Sequence, residues 1–203
     1  MRQKINIVWF KRDLRLSDHQ PLKHAFSNGL PTLLLYNFEP LLLEDAHYNE
    51  RHWRFVYQSL CDLNQQLDRF NSCVYIFKQN MQSLLEELLT QFEIINLFSH
   101  QEIGLNNTFE RDKAIKAWCQ HNQINWLESP TGAVIRGKKN RNNWNECWQQ
   151  TMQAPIAIPD WKHIKTVTMT TFNMEGHDLP AMLCTVFLPS AVKVIKKGSL
   201  AQA

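Results

Sequence analysis

Short apolar runs alternate with amphipathic stretches along the first 130 residues. Residues 4–10 (KINIVWF), 31–38 (PTLLLYNF), 73–77 (CVYIF), 94–98 (IINLF) and 124–127 (INWL) are brief and rich in β-branched and aromatic side chains. Each reads as a buried strand. The stretches between them carry the helical period. Over 49–70, Trp53, Val56, Leu60, Leu63 and Leu67 recur at spacings of three and four, one face of a long helix. Over 81–92, Leu84, Leu85, Leu88 and Leu89 share a face. Ser17 or Asp18 is positioned to cap a helix carrying Leu22, Ala25 and Phe26, with Asn28-Gly29 as its stop. Asn107-x-x-Glu110 resembles a capping box opening a helix to His121 that buries Ile115, Trp118 and Cys119. Residues 39–48 read as a loop.

Continuous apolar strands separated by amphipathic helices predict an α/β fold: a doubly wound, five-stranded parallel sheet, Rossmann-like, with helices on both faces. Ligands of such sheets bind outside the carboxyl ends of the strands. That rule directs attention to residues 11–15, 37–40, 78–80 and 99–104. Beyond Leu127 the pattern decays into a turn at 131–134, then Arg136, Lys138, Lys139 and Arg141, then Trp144, Trp148 and Met152 at every fourth position. A Pro-containing connection and an apolar tail from Leu179 close the chain. The expected organisation is an α/β domain over 1–130 and a basic, Trp-containing linker with an irregular tail over 131–203.

Composition changes this picture little. The 203 residues carry a net charge of +3, too small an excess to argue for nucleic acid alone, since dedicated binders concentrate basic residues on one face. No apolar run approaches the ~18 residues of a membrane span, and the charged N-terminus does not resemble a signal peptide. Five widely spaced cysteines without a CxxC pair suggest free thiols, with Cys61, Cys119 and Cys147 buried in helices, and a cytoplasmic location.

The first loop is KRDLR (11–15), with no glycine. That departs from the Gly-rich phosphate loops of nicotinamide and P-loop enzymes, and no GxSxG elbow occurs. KRDLR is either a clamp for an anion or an ion-pair network of Asp13 with Arg12 or Arg15, the network being the plainer reading. Ser99-His100-Gln101-Glu102 ends the fourth strand. Gln101 offers a donor and an acceptor and Glu102 an acceptor for a heteroaromatic ligand; the plainer reading is loop capping. His100 reads as a hydrogen-bonded structural histidine, and the scattered histidines lack metal-ligand spacing. The basic run reads as a solvated linker rather than a phosphate contact, and the Trp144/Trp148 stripe as packing rather than a stacking platform.

WFKRDLRLSDHQPL (9–22) resembles the N-terminal signature of the DNA photolyase/cryptochrome family, WFRRDLRLxDNxAL. RHWRFVYQSLCDLNQQL (51–67), SHQEIGLNNTFERDKAIKAWC (99–119) and GAVIRGKKNRNNWNECWQQTMQAPI (132–156) are similar to family segments in the same order, the last two to those of bacterial cryptochrome-like photolyases. The resemblance covers about residues 4–160. Lys11 and His19 replace Arg and Asn; Ile103, Leu105 and Asn107 replace Thr, Asn and Trp; Gly137 replaces a larger residue; Asn142-Asn143 replaces Asp-Gly.

The resemblance implies an N-terminal domain that holds an antenna chromophore, a folate or a deazaflavin. This chromophore passes excitation to FAD in a C-terminal helical domain of full-length members. There, excited reduced FAD splits pyrimidine dimers in damaged DNA, a carbon–carbon lyase reaction in which cofactors carry the chemistry. No match to the FAD domain follows here, so a truncated chain, inactive in repair on its own, is the expectation. The implied chromophore-binding residues are Phe10, Lys11, Phe38, Glu39, His100, Gln101 and Glu102, with no catalytic residue and no metal. Arg12, Asp13 and Arg15 are expected to hold the loop. Self-association through an uncovered interdomain face is a further expectation. The alternative is a small-ligand or nucleotide-binding α/β module of the stress-protein or flavodoxin-like type, which calls for a Gly- or Ser/Thr-rich first loop.

Overall fold

All five apolar runs form strands: β1 (Gln3–Phe10), β2 (Thr32–Asn37), β3 (Val74–Phe77), β4 (Phe92–His100) and β5 (Asn125–Ser129). They pair in parallel in the order β3-β2-β1-β4-β5. The computed structural model describes residues 1–167; the apolar tail from Leu179 and Cys184 lie outside the described residues. The helices are α1 (Gln20–Ser27), a short α2 (Pro40–Leu43), α3 (Glu50–Leu67), α4 (Met81–Gln91), α5 (Asn106–His121) and α6 (Trp144–Met152).

Alternation along β1 divides the core. Ile5, Ile7 and Trp9 face one layer, with Leu84, Leu85 and Leu88 of α4 and Ile115 and Cys119 of α5. Val8 and Phe10 face the other, with Leu22 and Ala25 of α1 and Trp53, Leu60, Leu63 and Leu67 of α3. A period of two on the strand and one apolar stripe on each helix thus produce the two covered faces. The chain reverses its winding between β1 and β4, and at such a switch the two flanking loops part and leave a crevice.

Several local expectations are corrected. Neither Ser17 nor Asp18 caps α1; His19 does, its Nδ1 accepting from Leu22 N at 3.2 Å. Asp18 instead takes a positive φ of 51° and its Oδ1 accepts from Ala157 N. The capping box at Asn107 does not form, because the helix starts two residues earlier, at Asn106 with Leu105 as its cap. The Asn107 amide is drawn away to Asp45 Oδ2 at 2.7 Å, and Glu110 pairs with Lys113. The 39–48 loop contains α2. The long helix gives way after Leu67 to a 3-10 turn over Asp68–Phe70. β4 runs two residues further at each end than its apolar run, because Ser99 and His100 continue the ladder although polar. Cys119 is buried, but Cys61 and Cys147 are only half-buried.

Toward the amino side of the sheet, from midway along β1 and β4 to the start of β5, a row of amides crosses it. Asn6, Asn96 and Asn125 are in register. Asn96 Nδ2 donates to Asn6 Oδ1 at 2.8 Å, and Asn125 Nδ2 to Asn96 Oδ1 at 3.0 Å. Asn6 Nδ2 donates to Ala25 O and to Asn28 Oδ1. A buried amide is tolerated because its donors and acceptor are met.

Trp144, Trp148 and Met152 of α6 are 43%, 41% and 56% exposed, so among the described residues the tryptophan stripe is not core packing. The segment that follows returns to the α/β layers. Ala157 accepts from His19 N at 2.9 Å, Trp161 stacks against Phe70 with centroids 5.0 Å apart, and Thr166 bridges to Thr32 beside β2. No described helix is long and apolar enough to cross a membrane.

Candidate functional site: a cavity at the carboxyl ends of the strands

The crevice at the switch point holds a cavity of about 410 Å³, within the range of small-molecule sites. Its apolar wall comes from Trp9, Phe10, Tyr36, Leu42, Tyr48 and Trp53. β1 and β2 deliver the first three, α2 delivers Leu42, the connection after it Tyr48, and α3 Trp53. Stacking of Tyr48 on Trp53, centroids 4.8 Å apart and 25° between planes, makes that side flat. The far wall is charged.

That wall is a buried ion-pair network. Lys11 Nζ sits 3.1 Å from both carboxylate oxygens of Asp112 and 4.3 Å from the Trp9 ring centre. Burial pulls the Lys11 ammonium below its usual pKa, and Asp112 opposes this. Arg111 bonds Glu39 Oε1, Glu102 Oε2 (2.6 Å) and Asp112 Oδ1 (2.9 Å). Burial disfavours its charge, but these three carboxylates together raise its pKa. Its guanidinium lies 4.7 Å from the Trp9 centroid. Arg12 Nε donates to Glu102 Oε1 at 3.1 Å and Arg12 Nη2 to Tyr48 Oη at 2.7 Å.

One acceptor in this wall is left over. Glu39 is buried, one oxygen taken by Arg111, while its Oε2 is enclosed and has no hydrogen-bond partner. Desolvation raises the Glu39 carboxyl to about 7, against the pull of Arg111. A buried unpaired carboxylate oxygen is costly, and a ligand N–H or O–H placed there removes the cost.

Beside this cavity lies a second, of about 270 Å³, lined by Arg15, His100, Gln101 and Thr131, and sharing Lys11, Arg12 and Glu102 with the first. Asp13 organises it. Its Oδ1 accepts from Lys11 N at 2.8 Å, and its Oδ2 accepts from His100 Nδ1. His19 Nε2 faces the same oxygen at 2.7 Å, off the axis of a hydrogen bond. The two histidines hold the Asp13 carboxyl far below its usual range despite its burial. The loop network is therefore real, but Asp13 pairs with histidines and not with Arg12 or Arg15.

Asp13, His19 and His100 bring three ligand-type atoms within 4.8 Å, a convergence their separation in sequence hid. His19 Nδ1 accepts from the Leu22 N–H, which puts the proton of the neutral ring on Nε2, toward Asp13.

Of the residues singled out from sequence, Phe10, Lys11, Glu39 and Glu102 line the main cavity; His100 and Gln101 line the smaller one. Phe38 lines neither; it is fully buried behind the wall, edge-on to Trp53 and Tyr36. The 78–80 loop also stays outside, with Asn80 capping α4 and Gln79 bonded to Asn37. Sequence reasoning missed Arg111 and the Tyr48–Trp53 wall. Arg111 lies in the Glu-Arg-Asp stretch of α5, whose third member, Asp112, breaks the apolar stripe at a buried position. That break was the available signal.

Comparison with known proteins bears on this architecture. The DNA photolyase family matches residues 6–144. Cryptochrome DASH of Gloeobacter violaceus is 27% identical over 108 residues, 51% of this chain and 22% of that protein. Cryptochrome DASH of Synechocystis is 26% identical over 102 residues, 48% of this chain and 21% of its own length. The chain thus spans about a fifth of these relatives. Among solved structures, Synechocystis cryptochrome superposes with a TM-score of 0.67 at 15% identity, covering 88% of this chain and 41% of that one. The class III photolyase of Agrobacterium tumefaciens gives 0.65 at 17% identity, covering 83% and 36%. The archaeal photolyase of Sulfolobus tokodaii, solved with two FAD molecules, gives 0.60 at 17% identity, covering 75% and 36%. The structural likeness fixes the fold and gives no support to a stress-protein or flavodoxin-like module. A five-stranded 3-2-1-4-5 sheet and a sequence match across most of its length lead to one conclusion: the chain belongs to the DNA photolyase family, as its N-terminal α/β domain.

Proposed function

We propose that this domain holds a light-absorbing heteroaromatic chromophore, of the folate or deazaflavin class, in the main cavity at the switch point. The observation that carries the reading is Glu39 Oε2: a buried acceptor without a partner, in the wall of a cavity with stacked aromatic sides. A planar ring system fits between flat walls, and a ring N–H supplies the missing donor. Phe10 and Tyr48 contact the ring face, Lys11 and Glu102 set the field, and no side chain acts chemically. In a photolyase that also carries FAD, such a domain collects light for repair of damaged DNA; the antenna domain proper spans residues 1–130, and Ala157, Trp161 and Thr166 of the linker that follows pack back onto it. Family membership supports this wider role, together with a cytoplasmic location. Association of copies through an uncovered interdomain face belongs to the same reading.

The test is titration of the purified chain with a folate and with a deazaflavin, followed by near-ultraviolet and blue absorption. Saturable binding of one, weakened about tenfold or more by Glu39→Gln, is expected, since a hydrogen bond to a charged group contributes ~1.5–3 kcal/mol. A spectrum unchanged by either chromophore, or equal binding by the variant, defeats the reading.

A further inference from the structure

A third cavity opens beside α6. After β5 the chain makes two turns before that helix, with Lys138 N donating to Ile135 O at 3.4 Å and Trp144 N to Arg141 O at 3.0 Å. Gly137 (φ 74°) and Asn143 (φ 57°) supply the left-handed residue at the third position of each turn. Arg136 anchors the segment, its guanidinium bonded to Glu128 Oε1 at 3.0 Å and to Asp112 Oδ2 at 3.4 Å. The basic run thus lies against α6, and between them is a groove of about 640 Å³.

The groove is one-sided in charge. Lys138, Lys139 and Arg141 border it together with Trp144 and Trp148, and no acidic side chain does. Arg136 is held by carboxylates, but none of the three bordering cations makes an ion pair among the described residues. The two indoles stand one helical turn apart, ring centres 6.5 Å apart and 31° between planes, and both are exposed.

Unpaired cations beside exposed aromatic faces call for a ligand with repeated negative charge and flat rings. An acidic peptide has the charge without the rings. An anionic bilayer calls for a helix with a cationic face, and α6 carries no lysine or arginine and one glutamate. Two copies of the groove set cation against cation. A nucleic-acid duplex offers phosphates but hides its base faces. A single strand offers both.

We infer that the groove between the basic turns and α6 binds single-stranded nucleic acid, with backbone phosphates at Lys138, Lys139 and Arg141 and bases stacked on Trp144 and Trp148. The groove shares no lining residue with the main cavity. Strand binding there needs no FAD, lesion or light, so it stands apart from the chromophore reading and from the dimer-splitting reaction of full-length family members.

The test is fluorescence anisotropy of an end-labelled, undamaged thymidine strand of about 12 nucleotides, within the site size of such grooves. It is titrated in the dark with the full chain, beside a duplex of equal length. Saturable binding is expected, about tenfold or more tighter for the strand than for the duplex. Trp148→Ser weakens it about tenfold and keeps the salt dependence. Arg141→Gln lowers the slope of log affinity against log salt by about 0.7, the share of one phosphate on a single strand. Both positions are exposed, and a thermal melt confirms that each variant is folded. Equal affinity for strand and duplex, a Trp148→Ser variant that binds like the wild type, a salt slope untouched by Arg141→Gln, or no binding at all overturns the inference. Sedimentation of the chain with phosphatidylserine vesicles, without retention by the strand, assigns the groove to a lipid surface and overturns it equally. The chromophore titrations read a different cavity and stand or fall separately.

Discussion

The two ends of the sheet solve the same problem in opposite ways. Both bury polar side chains beside the central strand. Toward the amino side, the Asn6–Asn96–Asn125 row is neutral and its central amides are met by one another, by Ala25 O and by Asn28. At the carboxyl ends, Lys11, Arg111, Glu39, Glu102 and Asp112 are charged, tightly paired, and still leave Glu39 Oε2 without a partner. A closed set of hydrogen bonds reads as architecture. A charged set that balances its ions yet keeps a spare acceptor buried in a cavity wall reads as a place prepared for something else.

The sharpest way to break this contrast is to remove one ion at the carboxyl end. Asp112→Ala strands Lys11 in the core with no carboxylate in contact, and a loss of about 3–5 kcal/mol in urea unfolding is expected. A loss under about 1 kcal/mol would mean that the network is solvated and the two ends are alike.

Glu39→Gln gives the next effect, and its sign depends on pH. The folded carboxyl is raised above its ordinary 4.5 to about 7, so the native state binds the proton more tightly than the unfolded state. Wild-type stability therefore falls as pH rises through that interval, by up to about 3 kcal/mol. The variant lacks this slope. Melting both proteins at acid and mildly alkaline pH is expected to show the variant gaining on the wild type as pH rises; parallel curves would contradict the desolvated carboxyl.

Asn6→Ala at the amino end removes a neutral hub and orphans Ala25 O, for about 1–3 kcal/mol with no pH dependence over the same interval. A slope with pH there would erase the distinction between the ends. Smallest of all, Trp148→Ser on exposed α6 is expected to stay within about 0.5 kcal/mol; a larger loss in the full chain would mean that the helix is covered.

The fold was legible because it is written in apolar periodicity: the strand runs fix the sheet, and the stripes of α3 and α4 fix which helices cover it. Polar continuations were not. Ser99 and His100 extend β4 by backbone pairing, which hydropathy does not record. For the site, the strand-end rule reached Lys11, Glu39 and Glu102 directly. It failed for residues that arrive by tertiary packing: Tyr48 and Trp53 from across a loop, Arg111 from the next helix, and His19 meeting His100 over Asp13. Phe38 shows the converse error. It lies next to the site in sequence, but just past the end of β2 it packs into the core against Tyr36 and Trp53, behind the wall.

Trp9 stands among these groups, with the Lys11 ammonium 4.3 Å and the Arg111 guanidinium 4.7 Å from its ring centre, on the wall of the main cavity. This makes the indole an optical gauge built into the protein. Nearby cations shift the energy of an excited indole, whose charge moves across the ring on excitation, and a chromophore absorbing at the edge of the ultraviolet drains its emission. Each filling of the cavity is thereby reported as a dimming of tryptophan light, without a label, and the domain's own fluorescence becomes the readout of its occupancy.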